Sequence, residues 1–126
     1  MKKQIVTAFL VTRSTLLRDG LIALLTAIPQ IDEVEIVESL ESALQRVKDG
    51  KPQIILIDLM SAGSTLETAL DEIHRLSPAT QRMIITREME EMKPSPFHAE
   101  AFVTIGSLPS TIVDAITNLL KAKGRN

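Results

Sequence analysis

The chain has 126 residues, of which 44% are apolar and 24% charged, and its formal net charge is −2. That length can bury a substantial core, so we expect one domain over residues 1–126. The near-neutral charge provides no basic field for a phosphate backbone, so no direct nucleic-acid binding is expected. The chain contains no cysteine, which excludes disulfides, thiolate metal sites and thiol catalysis.

No apolar run approaches the length needed to span a membrane. The first residues are basic, but the apolar run behind them is short, and no small-residue cleavage site follows. We therefore expect no signal peptide and no membrane partner, and a cytoplasmic location.

The first half of the chain alternates short apolar runs with helical patterns. Residues 5–11 predict a buried strand, leucines at helical spacing predict a helix that ends at Pro29, and residues 34–37 predict a second strand. Ser39 can cap the start of the next helix, and the sequence around Gly50 ends it. Residues 54–57 then form a continuous apolar strand of the kind that is buried on both faces of a parallel sheet.

In the second half, Ser64 and Glu67 form a capping-box pattern that opens a helix through about Arg75. Residues 82–86 predict a fourth strand and residues 101–105 a fifth. Between them, residues 87–93 permit a helix, but two following prolines leave room for only one or two turns. Pro109 begins the last helix.

Strands that alternate with helices predict an α/β fold: a doubly wound, five-stranded parallel sheet with helices on both faces. In such sheets ligands bind beyond the carboxyl ends of the strands, near the point where strand order reverses. The candidate site residues at those ends are Thr12, Arg13, Asp58, Thr86, Arg87 and the segment 105–107.

Several runs, in this order, resemble the receiver domain of bacterial response regulators, particularly the LuxR/NarL-type group. They include Leu16 to Leu21, Pro29, the stretch 51–59, and Leu76-Ser77-Pro78, and the likeness resumes at Ala99. The resemblance implies a flavodoxin-like, receiver-like fold, in which the fourth helix is eroded here. It also implies a signalling module that is not an enzyme and that takes part in two-component phosphorelay and transcription regulation.

The resemblance assigns a family position to each candidate residue. Asp58 matches the phosphoryl-accepting aspartate, Thr86 matches the hydroxyl that bonds the phosphoryl oxygen, and Phe102 takes the place of the aromatic switch residue. Thr12 and Arg13 stand where the family has the paired acidic residues that hold the metal, and Ile105 stands where it has a lysine. The chain is therefore similar to a degenerate receiver, or pseudo-receiver.

These replacements affect both metal binding and phosphoryl transfer. Magnesium requires several oxygen ligands, and a single carboxylate makes a weak site, so we expect no metal and no cofactor. Phosphoryl transfer depends on positive charge that neutralises the phosphoryl oxygens, and the metal and the lysine are the groups replaced. Arg13 could instead pair directly with Asp58 and fix the domain in one state.

Each residue also has a purely structural interpretation. Asp58 can be a strand-end aspartate bonded to loop amides, Thr86 an ordinary strand residue, Arg13 a solvated charge and Phe102 a core side chain. Three functions therefore remain open: an unphosphorylated signalling or dimerisation module, a receiver still phosphorylated on Asp58 by a histidine kinase, and a domain that binds a small ligand in the vacated pocket.

The expected partner is a second copy of the chain or another signalling protein, and a histidine kinase is one candidate. Because the fourth helix is eroded, we expect the first and last helices to supply the contact surface. Their candidate positions are Arg18, Ile22, Asp114 and Asn118.

Overall fold

The computed structural model describes residues 5–62, 65–86, 99–104, 106 and 109–124. Within this part of the chain the strands are β1 (Thr7–Val11), β2 (Glu33–Val37), β3 (Ile54–Asp58), β4 (Gln81–Thr86) and β5 (Ala101–Thr104). The helices are α1 (Thr15–Thr26), α2 (Leu40–Gly50), α3 (Leu59–Ala62), α4 (Leu66–Leu76) and α5 (Pro109–Gly124). None of the described helices is both long enough and apolar enough to cross a membrane.

The strands form one parallel sheet in the order β2-β1-β3-β4-β5. All residues of the central strand β3 are buried, as its continuous apolar run predicted. Strand order reverses between β1 and β3, because the chain builds outward from β1 in one direction and then from β3 in the other. The predicted fold class, a doubly wound five-stranded parallel sheet of the flavodoxin-like type, is confirmed.

Helices cover both faces of the sheet. Successive strand residues point to opposite faces, so Phe9 and Val11 pack with α2 and α4, whereas Ala8 and Leu10 pack with α1 and α5. Each face buries its own apolar cluster. This two-layered core is the consequence of strands that are apolar at every position rather than at alternate ones.

Local side chains determine where the first two helices begin and end. The Ser14 and Ser39 hydroxyls accept hydrogen bonds from the Leu17 and Ser42 amides, at 3.2 and 3.1 Å, and so cap α1 and α2. α1 ends at Thr26, before the predicted stop at Pro29, because the Ala27 amide already turns back to the carbonyls of the last turn. α2 ends at Gly50, and the capping residue Lys51 has left-handed backbone angles of φ 43° and ψ 61°.

Some details depart from the sequence prediction. The short helix α3, directly after β3, was not predicted, because four residues carry no recognisable periodicity. α4 begins after Thr65, which makes no side-chain cap hydrogen bond. Ser64, the predicted cap, lies outside the described residues, as do the predicted eroded helix at 87–93, Arg87, Ile105 and Ser107.

A buried ion pair joins β4 to the residue before β5. Arg82 is 6% exposed, and its guanidinium donates to both carboxylate oxygens of Glu100, at 3.0 and 2.6 Å. It also donates to the Leu70 carbonyl at 3.0 Å, and the Arg82 amide donates to Glu100 at 2.6 Å. One carboxylate thus neutralises the buried cation and ties β4, β5 and α4 together.

Candidate functional site

The candidate site lies at the carboxyl ends of β1, β3 and β4. Val11 pairs with Ile57 in the sheet, and Asp58 pairs with Ile85. Thr12, which follows β1, and Asp58 and Thr86, the last residues of β3 and β4, therefore lie on the same edge of the sheet. Their exposed fractions are 2%, 3% and 0%, so this edge is closed to water at its centre.

Both oxygens of the Asp58 carboxylate accept hydrogen bonds. The Thr12 hydroxyl donates to Oδ2 at 2.9 Å, and the Met60 amide, in the first turn of α3, donates to Oδ1 at 3.1 Å. Hydrogen bonds to an ionised carboxylate are stronger than those between neutral groups. α3 therefore has a local role, because its first turn aims a backbone amide at the buried acid.

Thr12 also contacts the start of α1. Its hydroxyl oxygen accepts a hydrogen bond from the Ser14 amide at 3.1 Å, and its own amide donates to the Val37 carbonyl at 3.2 Å. A hydroxyl has one proton to donate, and here that proton is directed at Asp58. Thr12 is thus a bridge between the carboxylate and the residue that caps α1.

The sequence prediction missed this bridge. Thr12 was singled out only as a replacement for a metal-binding acid, and Arg13 was considered either as a direct partner of Asp58 or as a solvated charge. The signal that could have revealed it is the register: two strand ends that are neighbours in a parallel sheet place the residues after Val11 and Ile57 side by side.

Arg13 is exposed and borders a polar cavity of about 500 Å³ at the ends of β1 and β2. The cavity is lined by hydroxyl and charged side chains, namely those of Thr12, Arg13, Ser14, Thr15, Arg18, Glu38, Ser39 and Ser42. The predicted pairing of Arg13 with Asp58 stays a prediction. The structure adds that the carboxylate already accepts from Thr12 and Met60.

The remaining predicted residues divide between core and undescribed segments. Thr86 ends β4 within the buried edge, beside Asp58 in the neighbouring strand. Phe102 is half-buried in β5, pairs with Ile84, and packs against the cluster under α2 and α4. Their switch roles stay predictions. Among the described residues there is no group of three or more His, Asp or Glu side chains placed to share a metal ion.

Solved structures of known proteins share this architecture. A two-component response regulator of the LuxR family from an Aurantimonas species superposes with a TM-score of 0.80, at 23% identity over 94% of this chain and 87% of that chain. A CheY-like response regulator receiver domain protein from Methanospirillum hungatei superposes with a TM-score of 0.81, at 17% identity over 97% and 98%. This chain has the receiver-domain fold.

The receiver-domain fold is also found in a protein described as pilus assembly-related, from Burkholderia pseudomallei, with a TM-score of 0.78 and 15% identity over 94% of this chain and 91% of that chain. No protein-family model matches the sequence, and no curated protein is similar enough in sequence to count as a relative. The property that these comparisons show to be shared is therefore the fold.

Proposed function

We propose that this chain is an atypical response-regulator receiver domain, a non-enzymatic signalling and dimerisation module that acts without a Mg²⁺-dependent phosphorylation cycle. The observation that carries the proposal is the hydrogen bond of 2.9 Å between the Thr12 hydroxyl and Asp58, a carboxylate only 3% exposed. A neutral hydroxyl holds the acid where a receiver would hold a metal ion.

The chemistry of magnesium supports this proposal. Mg²⁺ takes near-octahedral oxygen ligands and gives up its waters reluctantly, so carboxylates make its protein sites. Thr12 and Arg13 occupy the positions of the acidic pair in the receiver resemblance. A hydroxyl is a weaker, uncharged ligand, and a guanidinium repels the cation. Of the three positions that hold the metal in the receiver resemblance, only Asp58 carries a carboxylate.

The requirements of phosphoryl transfer support it as well. The transferred group spreads negative charge over its oxygens, and catalysis is positioning plus neutralisation of that charge. In the receiver resemblance the neutralising groups are the metal and a lysine, and position 105 carries isoleucine. Arg13 is the cation that could take over the neutralising role of the metal and the lysine, and it borders the polar cavity.

In this role the domain transmits a signal by contact. We place it in the cytoplasm, with a second copy or another signalling protein as its partner, and in the setting of transcription control that the LuxR-family neighbour suggests. A histidine kinase remains the partner in the alternative function, in which Asp58 is still phosphorylated.

The test is formation of the beryllofluoride adduct, a mimic of the phosphorylated aspartate. We expect no change in the amide spectrum around residue 58 when beryllofluoride and Mg²⁺ are added together. The positive control is the variant Thr12→Asp/Arg13→Asp/Ile105→Lys, which supplies the missing charges and should gain a Mg²⁺-dependent adduct. A Mg²⁺-dependent adduct in the unmodified chain that Asp58→Asn abolishes would establish the phospho-acceptor function instead.

The polar cavity favours a second candidate function, binding of a small anionic ligand. Two cations, Arg13 and Arg18, border it together with the hydroxyls of Ser39 and Ser42 and one carboxylate, that of Glu38. Its volume of about 500 Å³ is in the range of small-molecule sites. A phosphate-dependent rise in melting temperature that Arg13→Ala removes would support this function. An unchanged melting temperature across inorganic phosphate and common nucleotides would exclude it for those ligands.

A further inference from the structure

Two cavities adjoin at the amino-terminal end of α1. One is the polar cavity of about 500 Å³ at the ends of β1 and β2, and the other is an apolar groove of about 590 Å³ between α1 and α5. Ser14, the residue that caps α1, lines both of them. A ligand bound in one cavity can therefore extend into the other past a single side chain.

The helical periodicity of α1 separates a polar flank from an apolar flank. Successive residues of a helix are about 100° apart around its axis. Thr15 and Arg18, which line the polar cavity, therefore lie about 60° from each other. The residues that line the groove occupy a separate arc of about 160°, and they are Leu16, Leu17, Gly20, Leu21, Ala23 and Leu24. The two cavities thus flank α1 and differ sharply in polarity.

The apolar groove reaches down to the sheet. Ile85 and Val103 line it from β4 and β5, and Ile112 lines it from α5. These three side chains are otherwise buried, with exposed fractions of 1%, 6% and 6%. None of the described residues that line the groove is charged. A space of this kind suits an alkyl chain and excludes a charged group, because apolar walls cannot replace the water around a charge.

The polar cavity suits an anion. Two cations, Arg13 and Arg18, line it against one carboxylate, that of Glu38, so the charge of its described lining is positive. Arg18 also contacts Asp19, with 3.5 Å between Nε and the carboxylate oxygen, but the Asp19 side chain is 73% exposed. An ion pair so exposed to water neutralises little of the arginine's charge.

Two serine hydroxyls on the cavity wall have a proton to donate. The Ser14 hydroxyl accepts a hydrogen bond from the Leu17 amide at 3.2 Å, and the Ser42 hydroxyl accepts one from the Ser39 hydroxyl at 3.2 Å. A hydroxyl that accepts still carries its own proton. An anionic group bonded to Ser14 would lie at the mouth of the groove, with any chain attached to it directed along the apolar flank of α1.

We propose that this chain binds a single-chain amphiphile with an anionic head, such as an alkyl phosphate or a fatty acid. The head lies against Arg13 and Arg18 in the polar cavity, and the alkyl chain passes Ser14 into the α1–α5 groove. The inference rests on the second candidate function, anion binding in the polar cavity, and adds the apolar part of the ligand. It does not depend on the chemistry of Asp58.

The test is isothermal titration calorimetry of the full chain with octyl phosphate and decyl phosphate, each below its micelle concentration. Both should bind more tightly than inorganic phosphate, because each methylene buried in the groove raises the affinity about fourfold. Octyltrimethylammonium has the same chain with a cationic head and should not bind. Nonanoate in place of octyl phosphate distinguishes a carboxylate head from a phosphate head.

One variant tests the groove separately from the polar cavity. Gly20 lines the groove, and a Cβ added there would meet nothing within 4 Å, so Gly20→Leu fills the groove without a clash. It should weaken octyl phosphate roughly tenfold and leave inorganic phosphate unchanged. Ala27→Leu is the matched control, because Ala27 is exposed at the other end of α1 and lines neither cavity. Thermal melts should show both variants folded.

A second variant tests the head group. Arg13→Ala should weaken octyl phosphate and inorganic phosphate alike, each roughly tenfold, because both lose a charge-assisted hydrogen bond. Lys48→Ala removes an exposed cation of α2 that does not line the cavity, and it should change neither affinity.

The outcomes separate this inference from the functions proposed above. If octyl phosphate binds no more tightly than inorganic phosphate, the inference is wrong and anion binding stands; if neither binds, both are wrong. Equal affinity for octyltrimethylammonium would also overturn it, as would a chain-length effect that survives Gly20→Leu. Failure of the signalling function is measured independently, by the beryllofluoride adduct at Asp58.

Discussion

Replacing Glu100 with glutamine should destabilise the protein by roughly 2–4 kcal/mol, because it leaves the buried Arg82 guanidinium without a counter-charge. Arg82 is 6% exposed and bonds both oxygens of Glu100. Removing one partner of a buried ion pair typically costs about 3–5 kcal/mol. The side chain of Glu100 is 32% exposed, so water can reach the site, and the expected loss is about 1 kcal/mol smaller than that range.

The pH dependence follows from the pKa of Glu100. Burial alone would raise that pKa, but the hydrogen bonds and the charge of Arg82 outweigh burial and hold it below the ordinary value of 4.5. A carboxyl with a lowered pKa stabilises the folded state above its unfolded pKa and loses that contribution as pH falls through the folded pKa. The difference in free energy of unfolding between wild type and Glu100→Gln should therefore be largest at pH 7 and should shrink below about pH 4.5.

Urea unfolding at pH 7 and at pH 3.5 measures the loss of stability and its pH dependence. In a thermal melt, a loss of this size lowers the melting temperature by roughly 10 °C in a domain of this length. Glu72→Gln is the matched control, because Glu72 pairs with Arg75 on the surface of α4, where an ion pair contributes little. Arg82→Met in the Glu100→Gln background should recover much of the loss, since no buried charge remains. A Glu100→Gln variant as stable as wild type at pH 7, or one equally weakened at both pH values, would refute the reasoning.

Two further predictions concern the site edge and the end of α2. Thr12→Val should lower the free energy of unfolding, measured in urea, by about 1–3 kcal/mol, because the buried Oδ2 of Asp58 loses the hydroxyl that donates to it. Thr12→Ser should lower it clearly less. Equal losses in the two variants would mean that packing of the threonine methyl group dominates. Lys51→Gly should stabilise the protein by about 1 kcal/mol, because Lys51 has a left-handed backbone. Lys48→Gly, inside α2, should instead destabilise the protein. If Lys51→Gly were destabilising as well, the left-handed backbone at Lys51 would not be a source of strain.

The strands could be predicted from sequence because they are short apolar runs bounded by turn residues. Ile54–Asp58 is the clearest example, and β1, β2 and β4 differ from prediction by one or two residues at their ends. α1, α2 and α5 were predicted from apolar spacing and from cap residues such as Ser39. α3 was not, since its four residues contain no repeat, and the contact it makes, from the Met60 amide to Asp58, is visible only in the structure.

The site contacts could be predicted less well because they join residues distant in sequence. The partners Thr12 and Asp58 are 46 residues apart, and only the alignment of β1 with β3 shows that they touch. The same holds for Arg82 and Glu100, 18 residues apart. An arginine at the start of a predicted strand does not indicate which carboxylate neutralises it. Here that carboxylate lies in the residue just before the next strand.

The bridging hydroxyl of Thr12 also makes this edge of the sheet intolerant of a second acid. Thr12→Asp by itself would place two carboxylates within hydrogen-bonding distance in a buried edge. Two like charges at that distance cannot both be ionised at low cost, so one of the two would be driven towards its protonated form. A carboxylate can therefore be added at position 12 only together with a group that neutralises it.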